Sequence, residues 1–245
     1  MPNKKLMKKE NFPIAIMAHR GYNKKYPENT ILAFRKAIEA KADYIELDVH
    51  FSADKEIVVI HNRTTGHVAN KDLVVKNTNL DVLKSLDVGK GEKIPTLQEV
   101  FDLCKEKIGI NIEIKDMNMA ESVVNLVEKN GMGEDIMVSS QIHKEIAQVK
   151  KMNSEINCAT LEELGVSVKL VVKRVLKINA DSINLPAIVT TKKLCSQAHA
   201  SGILVNPWTP DKPKEWERLI NNGVDSIITN DPEGLYNFLT SKYSK

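Results

Sequence analysis

The chain has 245 residues, of which 42% are hydrophobic and 27% are charged, and its formal net charge at pH 7 is +3. This composition is that of a soluble globular protein, and so small a charge argues against a nucleic-acid partner. Three widely spaced cysteines argue against a disulfide framework, and no apolar stretch is long enough for a stable membrane anchor, so we expect a cytoplasmic protein.

The first predicted strand covers residues 14–18 and ends in a polar turn that contains His19, Arg20 and Gly21. A helix follows, with Asn29 or Thr30 placed to cap its first turn. The apolar residues of that helix recur at helical spacing, as expected for a helix packed on a sheet.

The second predicted strand, near residues 44–50, alternates aliphatic and polar side chains, so Glu46 and Asp48 lie on the same face. An exposed edge strand would explain this pattern. In a sheet covered by helices on both faces, however, each buried carboxylate costs several kcal/mol unless a positive charge lies nearby. We therefore interpret this strand as part of a metal site.

The short polar turn after this strand permits only an antiparallel return by the next one. If the hairpin centres near Asp54, His61 lies level with Leu47. This prediction brings a histidine close to Glu46 and Asp48.

The rest of the chain alternates helices and strands after an irregular stretch at residues 62–95, which holds one short helical piece at 80–86. The helix at 96–107 begins after Thr96, a favourable N-cap, and the strand at 109–115 places Glu113 and Lys115 on one face. The remaining predicted strands cover residues 136–139, 156–160, 182–185, 203–206 and 226–229. The remaining predicted helices cover residues 144–152, 167–178, 192–200, 214–221 and 232–238.

Apart from the hairpin arm, eight strands are predicted, each followed by helical sequence. Eight such units in a chain of this length predict an α/β fold, a (β/α)₈ TIM barrel with a small insertion after the second strand. A doubly wound open sheet is the alternative, but no glycine-rich phosphate-binding pattern follows the first strand. We predict one domain over residues 1–245.

The candidate functional residues fall at or near the C-terminal ends of predicted barrel strands, where TIM barrels build active sites. They are His19, Glu46, Asp48, Glu113 and Lys115, with His61 returned to the same end by the hairpin. Each close pair of carboxylates repels by roughly 4 kcal/mol, which a divalent cation would remove, and oxygen ligands favour Mg²⁺ or Ca²⁺. With two histidines for acid–base catalysis and Arg20 and Lys115 to hold a phosphate, the pattern indicates metal-assisted displacement at phosphorus.

Structural roles are the alternatives for each residue taken alone. The carboxylates could pair with Lys115 and Arg20 as salt bridges, and His50 belongs to no such group of residues. Trp208 is as well placed to fill the core as to wall the pocket. The basic stripe at residues 169–177 could touch an anionic membrane, although a solvated face with Val171, Val172, Val175 and Leu176 packed beneath is the commoner arrangement.

The motifs of the chain resemble those of the glycerophosphodiester phosphodiesterase family. The matching segments are His19-Arg20-Gly21, Pro27-Glu28-Asn29-Thr30, Ile45-Glu46-Leu47-Asp48-Val49, Val58-Val59-Ile60-His61, Ile94-Pro95-Thr96-Leu97, Asn111-Ile112-Glu113-Ile114-Lys115, Trp208-Thr209 and Gly223-Val224-Asp225-Ser226-Ile227-Ile228-Thr229. The resemblance implies a hydrolase of lipid and glycerol metabolism that cleaves glycerophosphodiesters to glycerol 3-phosphate and an alcohol. It also implies a divalent cation on Glu46, Asp48 and Glu113, an acid–base pair in His19 and His61, and phosphate contacts from Arg20 and Lys115.

The chain departs from the family pattern at two places. Asn62 stands where the family usually has Asp, and Pro210-Asp211 stands where Val-Asn is usual, beside Trp208 on the substrate side. The alternatives are a lysophospholipase D-like or phospholipase-like activity on lipid phosphodiesters, or a non-catalytic metal- or phosphate-binding barrel. No exposed apolar loop is evident in the sequence, which argues against a lipid substrate. The oligomeric state cannot be inferred from these residues.

Overall fold

The structure, a computed structural model, describes residues 12–163 and 167–243. The strands of this part of the chain are β1 (Ala15–Ala18), β2 (Tyr44–Phe51), β3 (Ile57–Val59), β4 (Gly109–Ile114), β5 (Ile136–Ser140), β6 (Asn157–Leu161), β7 (Ser182–Pro186), β8 (Leu204–Trp208) and β9 (Ser226–Thr229). All except β3 pair in parallel with their neighbours, and β1 pairs with both β2 and β9. Eight parallel strands therefore form a closed barrel, which confirms the predicted (β/α)₈ fold.

Helices pack around this barrel. They are α1 (Ile31–Glu39), α3 (Leu97–Cys104), α4 (Ala120–Asn130), α5 (His143–Met152), α6 (Val168–Lys177), α7 (Lys192–His199), α8 (Pro213–Asn222) and α9 (Pro232–Tyr243). The short helix α2 (Leu80–Ser85) lies in the insertion instead, and its Leu83 packs in a separate apolar cluster with Val58 and Ile60. No range was predicted for α4, although Val123, Val124 and Val127 recur at helical spacing and Gly131 ends the helix in the left-handed conformation.

Threonine side chains cap three of these helices, and Thr191 does so at the start of α7. Thr30 caps α1, because its Oγ1 accepts a hydrogen bond from the backbone N–H of Ala33. Thr96 forms a capping box with Glu99 at the start of α3. Asn29, the other candidate cap of α1, instead donates a hydrogen bond to Asp48.

The predicted hairpin is confirmed. β2 and β3 are antiparallel, and Val49 pairs with Val59. The backbone N–H of Ile60 donates to the carbonyl of Asp48 at 3.0 Å, so the chain continues past β3 alongside the C-terminal half of β2. His61 is thereby carried toward the barrel mouth.

Apolar side chains fill the lower part of the barrel. They are Met17, Tyr44, Met137, Ala159 and Ile228, with Trp208 packed partly buried against them. Because residues two apart on a strand share a face, the inward side chains that follow Tyr44 on β2 are those of Glu46 and Asp48. The polar side chains at the C-terminal end of the barrel therefore pack on a layer of apolar side chains inside it.

The face of α6 differs from its prediction. Val171 and Val175 are buried, but Leu176, which we expected to pack beneath the basic stripe, is 50% exposed. Leu170 is also exposed. Among the residues described, we find no helix with the length and apolar character needed to cross a membrane.

Candidate active site

Three carboxylates meet at the C-terminal end of β2 and β4. The parallel register places Glu46 beside Asn111 and Asp48 beside Glu113. The three acids are buried, with exposed fractions between 1% and 6%. One oxygen from each carboxylate lies within 4.8 Å of the others. Two neighbouring strands thus form a compact acidic cluster inside the barrel.

The three carboxyl groups differ in their pKa values. Burial raises the pKa of Glu46 well above its usual 4.5, and the charges of Asp48 and Glu113 raise it further. Burial and Asp48 also raise the pKa of Glu113, against the opposing effect of Lys115. Burial disfavours ionised Asp48 as well, but Lys115, His61 and Arg20 outweigh burial and lower the pKa of Asp48 to about 2. Asp48 is therefore ionised at neutral pH, whereas the charge of Glu46 is poorly compensated.

Two cationic side chains lie against the cluster. Lys115 Nζ donates to Glu113 Oε1 at 2.6 Å and lies 3.1 Å from Asp48 Oδ1. Arg20 Nη1 lies 3.0 Å from both carboxylate oxygens of Glu28, and Arg20 Nε is 3.5 Å from Asp48 Oδ2. The carboxylates therefore do form salt bridges with Lys115 and Arg20, as a purely structural role would require. These salt bridges leave Glu46 with the backbone N–H of Arg20 as its donor, at 2.9 Å.

The turn after β1 has a backbone conformation that these contacts require. Gly21 has a φ of +77°, and a Cβ atom there would lie 2.8 Å from Ala33 of α1. Arg20 and Asn29 have φ values of 52° and 55°, which are unusual for residues other than glycine. This geometry points the amide of Arg20 at Glu46. It also lets Asn29 Nδ2 donate to Asp48 Oδ2 at 2.9 Å.

His19 lies at the edge of the cluster, directly after β1. Its backbone N–H donates to the carbonyl of Thr229 on β9, and its Nδ1 lies 2.6 Å from Asn230 Oδ1. Burial and the nearby charge of Arg20 lower the pKa of His19 from 6.5 to about 4. The side chain is therefore neutral at physiological pH and able to accept a proton.

His61 lies across the pocket and is held from two sides. Its Nδ1 lies 2.7 Å from Asn62 Oδ1, so the amide that replaces the usual carboxylate still contacts the ring. Its backbone carbonyl lies 3.2 Å from His50 Nε2, and His50 Nδ1 lies 3.0 Å from Asp116. His50, for which we expected no functional neighbours, therefore anchors the backbone of His61. Burial lowers the pKa of His61 despite the favourable charge of Asp48.

These residues line one pocket of about 100 Å³. Seven of the eight predicted site residues line this pocket: His19, Arg20, Glu46, His61, Glu113, Lys115 and Trp208. The eighth, Asp48, is buried beside them. The pocket also holds Asn111, Ser139 and Asn184, each of which has a buried polar atom with no hydrogen-bond partner among the residues described, as does Trp208 Nε1. Such atoms mark positions where a polar ligand or water would bind.

A larger cavity, of about 330 Å³, lies near the start of β2 and β4 and is lined by Asp43, Gly109 and Tyr236, among others. It contains neither histidine nor any member of the acidic cluster. Its residues precede the strands instead of following them. Size alone therefore does not identify the functional pocket, and the chemistry favours the smaller one.

Comparisons with known proteins agree with this geometry. The sequence profile of the glycerophosphoryl diester phosphodiesterase family matches residues 19–234. The chain is 36% identical over 237 residues to a glycerophosphodiester phosphodiesterase of Caldanaerobacter subterraneus subsp. tengcongensis, covering 91% of this chain and 97% of that protein. It is 27% identical over 279 residues to mouse lysophospholipase D GDPD1, covering 96% and 88%. The crystal structure of a glycerophosphodiester phosphodiesterase from Thermotoga maritima superposes with a TM-score of 0.81 at 29% identity, covering 91% and 97%.

Proposed function

The chain belongs to the glycerophosphoryl diester phosphodiesterase family, and on that premise we propose that it hydrolyses glycerophosphodiesters to glycerol 3-phosphate and an alcohol with a divalent cation. The observation that carries this proposal is the convergence of three buried carboxylates, two histidines and two cationic side chains on one pocket. A barrel with only a structural role would have no use for so costly a concentration of charge.

Glu46, Asp48 and Glu113 would hold the cation. Their donor set fits a hard divalent ion, since it consists of three carboxylates, two of which have pKa values raised by burial and mutual repulsion. We propose Mg²⁺ or Ca²⁺. When bound, the ion would supply a positive charge that polarises the phosphodiester and lowers the pKa of a coordinated hydroxyl.

His19 and His61 would move the protons. The lowered pKa of His19 keeps its ring neutral, as a general base must be. His61 lies beside Asp48, whose charge favours the protonated ring, so we assign His61 as the acid that protonates the leaving alcohol. Arg20 and Lys115 would contact the phosphate, and Trp208 would form the wall of the pocket.

The nucleophile we propose is the glycerol hydroxyl on the carbon next to the phosphoester. An attack within the same molecule needs no captured water and carries a high effective molarity. His19 would take the proton of this hydroxyl, and the first product would be a cyclic phosphodiester that water then opens. The enzyme would recognise the glycerol moiety of the substrate and use it in the reaction, so it should require glycerol but accept different alcohols as leaving groups.

The test is release of glycerol 3-phosphate from glycerophosphocholine by the purified protein, with and without chelator. We expect turnover that chelation abolishes and that Mg²⁺ or Ca²⁺ restores. Full activity after thorough demetallation would contradict the metal site. No release with any glycerophosphodiester, in a protein that binds the metal, would favour a non-catalytic barrel instead.

A second candidate is lysophospholipase D-like hydrolysis of lipid phosphodiesters. It is favoured by Ile188, which is 78% exposed in the turn after β7, at the same end of the barrel as the pocket. Met117, which follows β4, is 47% exposed. These residues correct our expectation that no apolar loop is exposed. Comparing lysophosphatidylcholine with glycerophosphocholine at matched concentrations distinguishes the candidates, because a lipid enzyme must prefer the first.

We also propose that the protein works in the cytoplasm. Its cysteines, Cys104, Cys158 and Cys195, are all buried and unpaired. Free thiols without disulfides are usual in a reducing compartment. Fractionation of the cells that make the protein would test this location.

A further inference from the structure

Two residues behind His19 connect its ring to a carboxylate. His19 Nδ1 lies 2.6 Å from Asn230 Oδ1, and Asn230 Nδ2 donates to Asp211 Oδ2 at 2.7 Å. The other oxygen of Asp211 accepts from the backbone N–H of Asn230 at 2.9 Å and from Thr229 Oγ1 at 2.8 Å. Three donors thus hold Asp211 against the segment that follows β9.

This arrangement determines which way the Asn230 amide faces. An ionised carboxylate can only accept hydrogen bonds, so the NH₂ group of Asn230 must point at Asp211. The amide oxygen of Asn230 then points at His19. An oxygen of this kind also only accepts, so Nδ1 of His19 must carry the hydrogen. In the neutral ring, Nε2 is left unprotonated, with a lone pair that can take a proton.

A second amide near the ring would favour the opposite tautomer. Asn23 Nδ2 lies 3.5 Å from His19 Nδ1, and a donor at that position would stabilise Nδ1 without its hydrogen. The contact with Asn230 is shorter by almost 1 Å. The charge of Asp211 therefore favours the Nδ1–H tautomer of His19, because it keeps the oxygen of the closer amide, that of Asn230, directed at the ring.

We propose that Asp211 and Asn230 are positioning residues that select the Nδ1–H tautomer of His19 and so make Nε2 the base of the reaction. The catalytic part of this inference rests on the proposed role of His19. Asp211 is also one of the two residues at which the chain departs from the usual family segment after Trp208. Asn62, which contacts His61 in the same way, makes no comparable contact with a carboxylate among the residues described. The two histidines are therefore supported unequally.

The direct test reads the tautomer in the metal-free protein, without substrate. Nitrogen chemical shifts of the His19 ring, assigned by comparison with the His19→Gln variant, should show a protonated Nδ1 and a bare Nε2. Asp211→Asn removes the charge and allows the Asn230 amide to flip. Because a hydrogen bond to a charged group shifts an equilibrium by roughly 10- to 100-fold, the Nε2–H form should become a large fraction. We expect kcat to fall in proportion to the fraction of the Nδ1–H form that is lost, while KM changes little.

Exchanging the two side chains separates positioning from folding. In the double variant Asp211→Asn/Asn230→Asp, the carboxylate lies next to His19 and the new amide at 211 can donate to it. The carbonyl of that amide can still accept from Thr229 and from the backbone of residue 230. We expect the double variant to recover both the Nδ1–H tautomer and most of the kcat that Asp211→Asn loses.

Three results would overturn the proposal: an Nε2–H tautomer in the parent protein, an unchanged tautomer in Asp211→Asn, or no recovery of the Nδ1–H tautomer in a double variant that melts like the parent. None of these depends on the substrate being correctly identified. If no glycerophosphodiester were hydrolysed, the tautomer measurement would still decide the positioning role.

Discussion

Replacing Glu46 by Gln should stabilise the metal-free protein at pH 8 while removing its affinity for the cation. Glu46 is buried, and its carboxylate lies within 4.8 Å of those of Asp48 and Glu113. At that distance two unit charges repel by roughly 3–4 kcal/mol at an effective dielectric constant near 20. Partial protonation and the charge of Arg20 reduce this cost, so we expect a gain of about 1–3 kcal/mol in the free energy of unfolding.

The sign of the pH dependence follows from the raised pKa of Glu46. The unfolded carboxyl group has a pKa near 4.5, and the folded one lies well above it. Between these two values the folded protein keeps a proton that the unfolded chain has lost, so the free energy of unfolding falls as pH rises. Glutamine does not titrate. The advantage of Glu46→Gln should therefore be absent near pH 4 and grow toward pH 8.

Asp48→Asn is the matched control, because its expected effect has the opposite sign. Lys115, His61 and Arg20 lower the pKa of Asp48 from 3.8 to about 2, despite its burial. Since a tenfold change in protonation corresponds to 1.36 kcal/mol, ionised Asp48 contributes ~2 kcal/mol above pH 4. This contribution is lost as pH falls toward 2. The variant should accordingly be less stable than the parent at neutral pH.

Both comparisons use denaturant unfolding in excess chelator from pH 4 to pH 8, checked by thermal melting. A change of 1 kcal/mol corresponds to roughly 2–4 °C in Tm for a chain of this size. Adding Mg²⁺ or Ca²⁺ should raise the Tm of the parent and leave that of Glu46→Gln nearly unchanged. If Glu46→Gln is no more stable than the parent in chelator at pH 8, the carboxylates do not repel one another as argued.

Three further outcomes are expected. His19→Ala and His61→Ala should each lower kcat by about 10²–10⁴-fold in folded, metal-binding protein. Turnover near the parent rate in these variants would exclude the acid–base assignment. In the parent protein, the acid limb of the kcat/KM profile should lie near pH 4, well below 6.5, because the pKa of His19 is lowered. A substrate analogue without the 2-hydroxyl should be hydrolysed far more slowly than glycerophosphocholine, and equal rates with intact binding would make water the nucleophile. Asn62→Asp should raise the pKa of His61, because a carboxylate at 2.7 Å favours the protonated ring. If the alkaline limb of the kcat/KM profile does not move to higher pH in this variant, His61 is not the acid.

The fold was predictable because its signals are local. Each barrel strand is a short apolar or alternating run, and each following helix has its own apolar periodicity. The hairpin register followed from the short turn around Asp54, since one turn fixes the pairing of both arms. α4 received no predicted range, even though its valines recur at helical spacing. Local patterns therefore gave the architecture but not every element.

The residues that contact His19 and Asp48 from behind could not be found in this way, because each contact joins distant parts of the chain. Asn230 lies 211 residues from His19, and Asn29 reaches Asp48 from a turn whose sequence suggested only a helix cap. Barrel closure nevertheless offers a rule for the first contact. β1 pairs with β9 in a closed barrel, so the residue after the last strand must lie beside the residue after the first. Polar residues directly after β9 are thus candidates to support a histidine after β1, and Asn230 occupies that position.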